Sequence, residues 1–214
     1  YRGSGGYGVN FQDLGRCQWG LKMQDDLTDA VKWAIKEGYT HADQVAISGA
    51  SYGGYATLAG LVFTPELYRC GVNYVGVSDI RLLTNSGFYK GRGADAWYKT
   101  WLGSDKDDLR ARSPVEFVER ITVPSLHAYG DNDPRVTIAH WKELERQLKK
   151  YGKKYIFFRE GDEGHGFRNE STKLKFYRAV EQFLAENLKP LPQGVLRYGP
   201  LEVIEMPAKE PAKK

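Results

Sequence analysis

A serine flanked by glycines at the end of an apolar run constrains this 214-residue chain more than any other feature. Gly49-Ala50-Ser51-Tyr52-Gly53-Gly54 follows Gln44-Val45-Ala46-Ile47 and reads as strand, sharp turn, helix. In a G-x-S-x-G turn the serine backbone is strained and its neighbours must be very small, so that the hydroxyl stands clear of the sheet. The following helix aims the positive end of its dipole at the same place. The turn therefore marks Ser51 as a candidate nucleophile. The plainer reading is an ordinary Gly-Ser turn, and the downstream residues decide between the two.

A serine nucleophile needs a base, and the base needs an acid to orient it. The chain has four histidines. His41 lies in a polar turn and His140 in a helical stretch full of Lys and Glu, so both are expected at the surface. His127 sits inside the apolar run Val123 to Tyr129 and is expected to be a satisfied strand residue. His165 differs: it lies in Gly161-Asp162-Glu163-Gly164-His165-Gly166-Phe167, a loop between strand-like Tyr155 to Phe158 and a helix. Glycines on both sides suit an imidazole that must reach a serine. The acid belongs on the loop Gly130-Asp131-Asn132-Asp133-Pro134-Arg135-Val136, where Asp131 and Asp133 compete; either could instead cap the helix near Thr137. The order Ser, Asp, His is that of α/β-hydrolases. Ser51, Asp133 and His165 are separated by 82 and 32 residues, which leaves room for two crossover units and then one. All three loops then open on one carboxyl edge of a parallel sheet.

The rest of the chain supports that frame. Helices are expected at roughly 25–37 (Leu27, Ala30, Val31, Ala34 and Ile35 on one face), 52–63, 137–151 (Ile138, Trp141, Leu144, Leu148) and 171–188 (Tyr177, Val180, Leu184, Leu188). A further strand is expected over Gly71–Val77. Alternating strands and helices give a mostly parallel sheet with helices on both faces. Residues 80–118 read as irregular. Their aromatics Phe88, Tyr89, Trp97, Tyr98 and Trp101 are expected to pack the core or a lid, with pocket lining as the alternative. One catalytic domain is expected over 1–189, followed by a Pro- and Lys-rich tail, 190–214.

Gly3-Ser4-Gly5-Gly6-Tyr7-Gly8 matches G-x-G-x-x-G, but Val9 to Gly20 lacks the helical period that a dinucleotide site requires. No cofactor is implied. Cys17 and Cys70 are too few for a disulfide framework and have no metal-ligand spacing, so no metal is expected. A net charge of +4 from 31 basic and 27 acidic residues, interspersed, does not make a nucleic-acid-binding face. No stretch is long and apolar enough to span a membrane. The compartment stays open, as does association of identical copies into a homo-oligomer.

Tyr1-Arg2-Gly3-Ser4-Gly5-Gly6-Tyr7-Gly8, Gly49 to Tyr55, Gly130 to Val136 and Gly164-His165-Gly166-Phe167 together resemble the catalytic domain of the prolyl oligopeptidase family, in its acylaminoacyl-peptidase and dipeptidyl-peptidase branches. The resemblance runs from residue 1 to about 188. It implies an α/β-hydrolase fold and hydrolysis of peptide substrates through an acyl-enzyme; a carboxylesterase or a catalytically silent interaction module are the alternatives. It selects Asp133 over Asp131 as the acid. It makes the Tyr52 N–H an oxyanion donor, Arg135 a contact to a substrate carbonyl, and Val136 and Val77 walls of the pocket before the scissile bond. It also implies that the first strands, a second oxyanion donor and a β-propeller domain lie upstream of Tyr1. Gln44 to Ser48 is accordingly expected at an unpaired sheet edge, and the chain alone is expected to be inactive and poorly soluble.

Overall fold

The computed structural model describes residues 1–84 and 93–189. Phe88, Tyr89 and the expected tail lie outside them. The described elements alternate as expected. Helices α1 (Val9–Asp13) and α2 (Lys22–Lys36) precede β1 (Ala46–Ala50) and α3 (Tyr52–Phe63). Then come β2 (Cys70–Tyr74), α4 (Ile80–Thr84), α5 (Ala94–Leu102) and α6 (Lys106–Ala111). The chain closes with β3 (Ser125–Gly130), α7 (Ile138–Lys150), β4 (Tyr155–Glu160) and α8 (Glu170–Asn187). The strands form one parallel sheet in the order β1-β2-β3-β4. Because all four run the same way, the loops after β1, β3 and β4 leave from one edge, and those loops carry Ser51, Asp133 and His165.

Both sheet faces are covered, as parallel sheets require. On one face Tyr55, Leu58 and Leu61 of α3 join Tyr129, Trp141, Leu144 and Leu148 in the larger core. On the other, Val72, Leu126 and Ala128 meet Phe167 and, from α8, Phe176 and Phe183. Strand β3 shows the period-two alternation directly: Leu126 and Ala128 face α8, whereas Tyr129 joins the opposite core. Each fully buried leucine contributes about 1.5–3 kcal/mol. Helix α3 is apolar all round and is buried from Gly54 to Val62, which makes it the central helix under the elbow. Among the described residues no helix is long and apolar enough to cross a membrane.

The edge expectation agrees with the sheet order: β1 pairs with β2 on one side and is the first strand of the described sheet. Beside it, the apolar face of α2 stays only half-buried at Leu27 and Val31, with Ala30 exposed. The helix itself ends in a Schellman motif. Tyr39 N–H bonds the Ala34 carbonyl and Gly38 N–H that of Ile35, with Gly38 at φ 75°.

Four expectations need correction. Residues 80–118 are not irregular: α4, α5, α6 and a 3-10 segment at Pro114–Arg120 fill much of the described part. Each of these is short, and Gly93, Gly103 and the Asp105 cap interrupt any period longer than a few turns. Val9 to Gly20 likewise contains one short helix, α1. Tyr177, expected on the packed face of α8, is 62% exposed, because Phe176 takes the inward position next to it. His140 is not a surface residue. It is 1% exposed, and its Nδ1 accepts the backbone N–H of Ser78 at 3.3 Å.

Candidate active site

Ser51 sits between β1 and α3 with φ 58° and ψ −114°, a backbone conformation that side chains rarely adopt. Its N–H bonds the Tyr74 carbonyl at 3.0 Å, and its carbonyl accepts from Tyr55 N–H at 3.0 Å, so strand β2 and helix α3 hold the strain. The requirement for small neighbours is met unevenly. A Cβ at Gly49 would lie 2.5 Å from the Gly53 backbone, whereas one at Gly53 would meet nothing within 4 Å. An equally tight approach lies one residue further on, where a Cβ at Gly54 would lie 2.5 Å from the Gly76 Cα. Helix α3 thus presses directly on the turn after β2, where Val75 also has a positive φ of 45°.

The structure brings Ser51, His165 and Asp133 into one line. Ser51 Oγ lies 3.0 Å from His165 Nε2, and His165 Nδ1 lies 2.7 Å from Asp133 Oδ2. A carboxylate can only accept, so Nδ1 carries the proton and Nε2 is left to accept the Ser51 O–H. Asp133 is buried, and its Oδ1 accepts the backbone N–H groups of Arg135 at 2.8 Å and Val136 at 3.0 Å. Asp131 points elsewhere and pairs with Arg159 at 2.8 Å. Tyr52 is the first residue of α3, a position whose N–H has no acceptor within its own helix. Beside Ser51 opens a cavity of about 580 Å³ whose described lining includes Tyr52, Val77, Leu83, Tyr98, Arg135 and Val136, together with Trp19, Gly93 and Trp97. Val77 and Val136 are therefore together on the wall, and Arg135 is exposed at its lip. Of the aromatics on α5, Trp97 and Tyr98 reach this cavity.

His127 is a satisfied strand residue, as expected. It is fully buried, with Nε2 2.8 Å from Ser125 Oγ and Nδ1 3.1 Å from Asn73 Nδ2. Burial pulls its pKa down to about 3, and that of His140 down to about 4. Both rings are held neutral at ordinary pH.

Sequence pattern gave no sign of Glu163, two residues before His165. Its carboxylate is buried and accepts the N–H groups of Arg168 at 2.7 Å and Asn169 at 3.0 Å. Its carbonyl accepts Asn132 N–H at 2.9 Å, which ties the histidine loop to the aspartate loop. The same approach explains Gly130, where a Cβ would lie 2.2 Å from the Glu163 carbonyl oxygen. Burial alone would raise the Glu163 pKa, but the bonds from Arg168, Asn169 and Thr172 outweigh it and hold the carboxyl below its usual 4.5. A depressed carboxyl contributes stability that is present above the unfolded value and lost as pH falls through the folded one. Glu163→Ala should cost about 2–3 kcal/mol at pH 7 by leaving N–H groups unpaired. The stability difference between wild type and Glu163→Gln, measured by denaturant unfolding, should shrink as pH is lowered below 4.5. A difference that is constant with pH would show that the charge on Glu163 does not matter.

Comparison with known proteins agrees with this frame. The prolyl oligopeptidase family model matches residues 1–191. Dipeptidyl aminopeptidase BIII of Pseudoxanthomonas mexicana is 42% identical over 196 residues, which cover 88% of this chain and 28% of that protein. Dipeptidyl peptidase family member 6 of Caenorhabditis elegans is 36% identical, over 88% of this chain and 26% of that one. Among solved structures, a puromycin-hydrolyzing peptidase of Mycobacterium tuberculosis superposes with a TM-score of 0.83 at 26% identity, over 91% of this chain and 29% of the other. The fold is that of the α/β-hydrolase peptidases. The chain spans little more than a quarter of the length of the proteins it matches. With a family match along nine-tenths of its length and an elbow, sheet and loop order to go with it, the chain belongs to the prolyl oligopeptidase family.

Proposed function

We propose that residues 1–189 are the catalytic portion of a serine peptidase that cleaves short peptides through an acyl-enzyme. The observation that carries this reading is the continuous hydrogen-bonded line Ser51–His165–Asp133 opening on an apolar cavity. Ser51 Oγ attacks the scissile carbonyl while His165 Nε2 takes its proton, and the tetrahedral oxyanion forms beside the Tyr52 N–H. The imidazolium formed is stabilised by Asp133, which remains ionised. His165 then returns the proton to the leaving amine, and the amine departs. Water, deprotonated by the same imidazole, repeats the addition on the acyl ester, and Ser51 leaves with the proton. The peptidase descriptions of the relatives support amide over ester chemistry. A second oxyanion donor and a β-propeller controlling access belong, in this reading, to other parts of the same polypeptide.

Arg135 serves binding more than chemistry. Its place at the lip of the cavity, two residues past Asp133, suits a hydrogen bond from its guanidinium to a substrate carbonyl upstream of the scissile one. Arg135→Ala should lower kcat/KM on peptide anilides of two or more residues roughly 10- to 100-fold, the worth of one charged hydrogen bond. A p-nitrophenyl acyl ester without that second carbonyl should be little affected. Equal losses on both substrates would remove the role. Wild-type turnover confined to the ester would favour a carboxylesterase instead.

A further inference from the structure

The segment Cys17-Gln18-Trp19-Gly20 is built with unusual constraint for a surface connection. Cys17 has a φ of 54° although it is not glycine, and its N–H is fixed to the Trp101 carbonyl at 2.8 Å. Gly20 has a φ of 73°, and a Cβ there would lie 2.3 Å from the Tyr55 hydroxyl, so no other residue fits without displacing that ring. Between them, the Trp19 carbonyl accepts from the buried Arg112 guanidinium at 3.3 Å. Arg112 also donates to the Leu102 carbonyl at 2.5 Å and pairs with Asp108. The indole itself lies edge-on against Tyr52, with ring centres 4.6 Å apart, and tilted against Tyr55 at 5.0 Å. Left-handed backbone at a non-glycine residue persists only where the surroundings impose it, and here the product of that constraint is the position of one aromatic ring.

That ring lies, with Tyr52 and Trp97, on the boundary between two pockets. In front of it is the 580 Å³ cavity beside Ser51. On its other side is a second, open pocket of about 240 Å³ that shares Trp19, Tyr52 and Trp97 with the first and is also lined by Tyr1, Gln12, Met23 and Trp101. Among the described residues the front lining is mostly apolar, with Ser51, Arg135, Tyr52 and Tyr98 supplying polar groups. An apolar pocket of this size, with one cation at the lip, favours a large uncharged side chain. A small one would leave wall atoms without partners.

We propose that Trp19 is a specificity-determining residue. It sets the depth of the pocket for the side chain on the acyl side of the scissile bond, so that the preferred residue there is a single-ring aromatic or long aliphatic one. The pocket on its other side is the space that a two-ring side chain would occupy if the indole were cut back. The assignment of the pocket to the acyl side rests on the reading of Ser51 as nucleophile, but the size rule itself can be measured by binding alone.

The test uses the full-length protein and four probes: the N-acetyl amides of alanine, leucine, phenylalanine and 4-phenylphenylalanine, titrated by calorimetry. Wild type should bind the phenylalanine probe roughly tenfold more tightly than the alanine probe, and lose roughly tenfold on adding the second ring. Trp19→Ala should bind the two-ring probe at least tenfold more tightly than wild type does. Trp19→Phe, which keeps a ring against Tyr52, should fall between them and carries the test if the alanine variant does not melt cooperatively. An unchanged order of the four probes in a folded variant would overturn the proposal, and so would equal binding of the alanine and phenylalanine probes by wild type. Labelling of each protein with a small fluorophosphonate separates the two readings. The expected binding order without labelling would sink the nucleophile assignment and leave the role of Trp19 standing.

Discussion

Ser51→Ala should abolish fluorophosphonate labelling and lower peptide turnover by about 10⁶, the scale of losing the nucleophile of a triad that acts as a unit. The substitution removes a single oxygen. Alanine has the same Cβ as serine, so the φ of 58° is no more strained than before, and the bonds that hold the elbow run through the backbone of residue 51. The hydrogen bond from Ser51 Oγ to His165 Nε2 disappears, while the backbone bonds to Tyr74 and Tyr55 stay in place. The variant should therefore unfold cooperatively close to wild type. Undiminished labelling in this variant would mean that another residue reacts, and the acyl-enzyme scheme would fall with it.

Asp133→Asn should lower kcat by roughly 10⁴ with a much smaller change in KM. Asparagine can keep its oxygen on the Arg135 and Val136 N–H groups, because those bonds need only an acceptor. Its amide nitrogen then faces His165 Nδ1. Two donors cannot meet there, so the ring proton moves to Nε2, and Nε2 can no longer accept the Ser51 O–H. Asp131→Asn provides the contrast. Asp131 is engaged with Arg159, a pair whose side chains are 28% and 56% exposed, and such surface pairs are worth about 0–1 kcal/mol. Its turnover should stay within a few-fold of wild type. Steady-state kinetics on one peptide anilide rank the two variants, and the reverse ranking would show that the acid is Asp131.

Much of the frame was available from local pattern. Helices α3, α7 and α8 and strands β1 to β4 lie within a few residues of where apolar periodicity puts them. The reason is that a core-facing stripe repeats every three to four residues and a strand every two. The elbow was legible only in combination: a glycine-flanked serine after an apolar run also suits an ordinary turn, and the Asp and His loops downstream, in hydrolase order, separated the two. Where the pattern was short it failed. Helix α5 has nine residues and α6 has six, with glycines at 93 and 103 between and beside them. Too few turns are present for a period to stand out from a loop.

The side chains that tune the site were hidden for a different reason: their partners are distant in sequence. His140 sits among lysines and glutamates that announce an exposed helix, yet its own face meets Ser78, 62 residues earlier, at the exit of β2. Arg112 reaches back 93 residues to hold Trp19. Asp133 and Asp131 are interchangeable as letters in one loop; the prolyl oligopeptidase resemblance chose between them, and the turn after β3 aims one at His165 and the other at Arg159. Glu163 read as one more acid in a polar loop until burial made its carboxylate the anchor of that loop. The sequence by itself determined the order of elements, the sheet edge from which the loops open and the residue types delivered there. Only the tertiary structure decided which of those residues face one another. Direction at a loop end depends on two or three backbone torsions, and those are settled by contacts across the fold rather than by the neighbours along the chain.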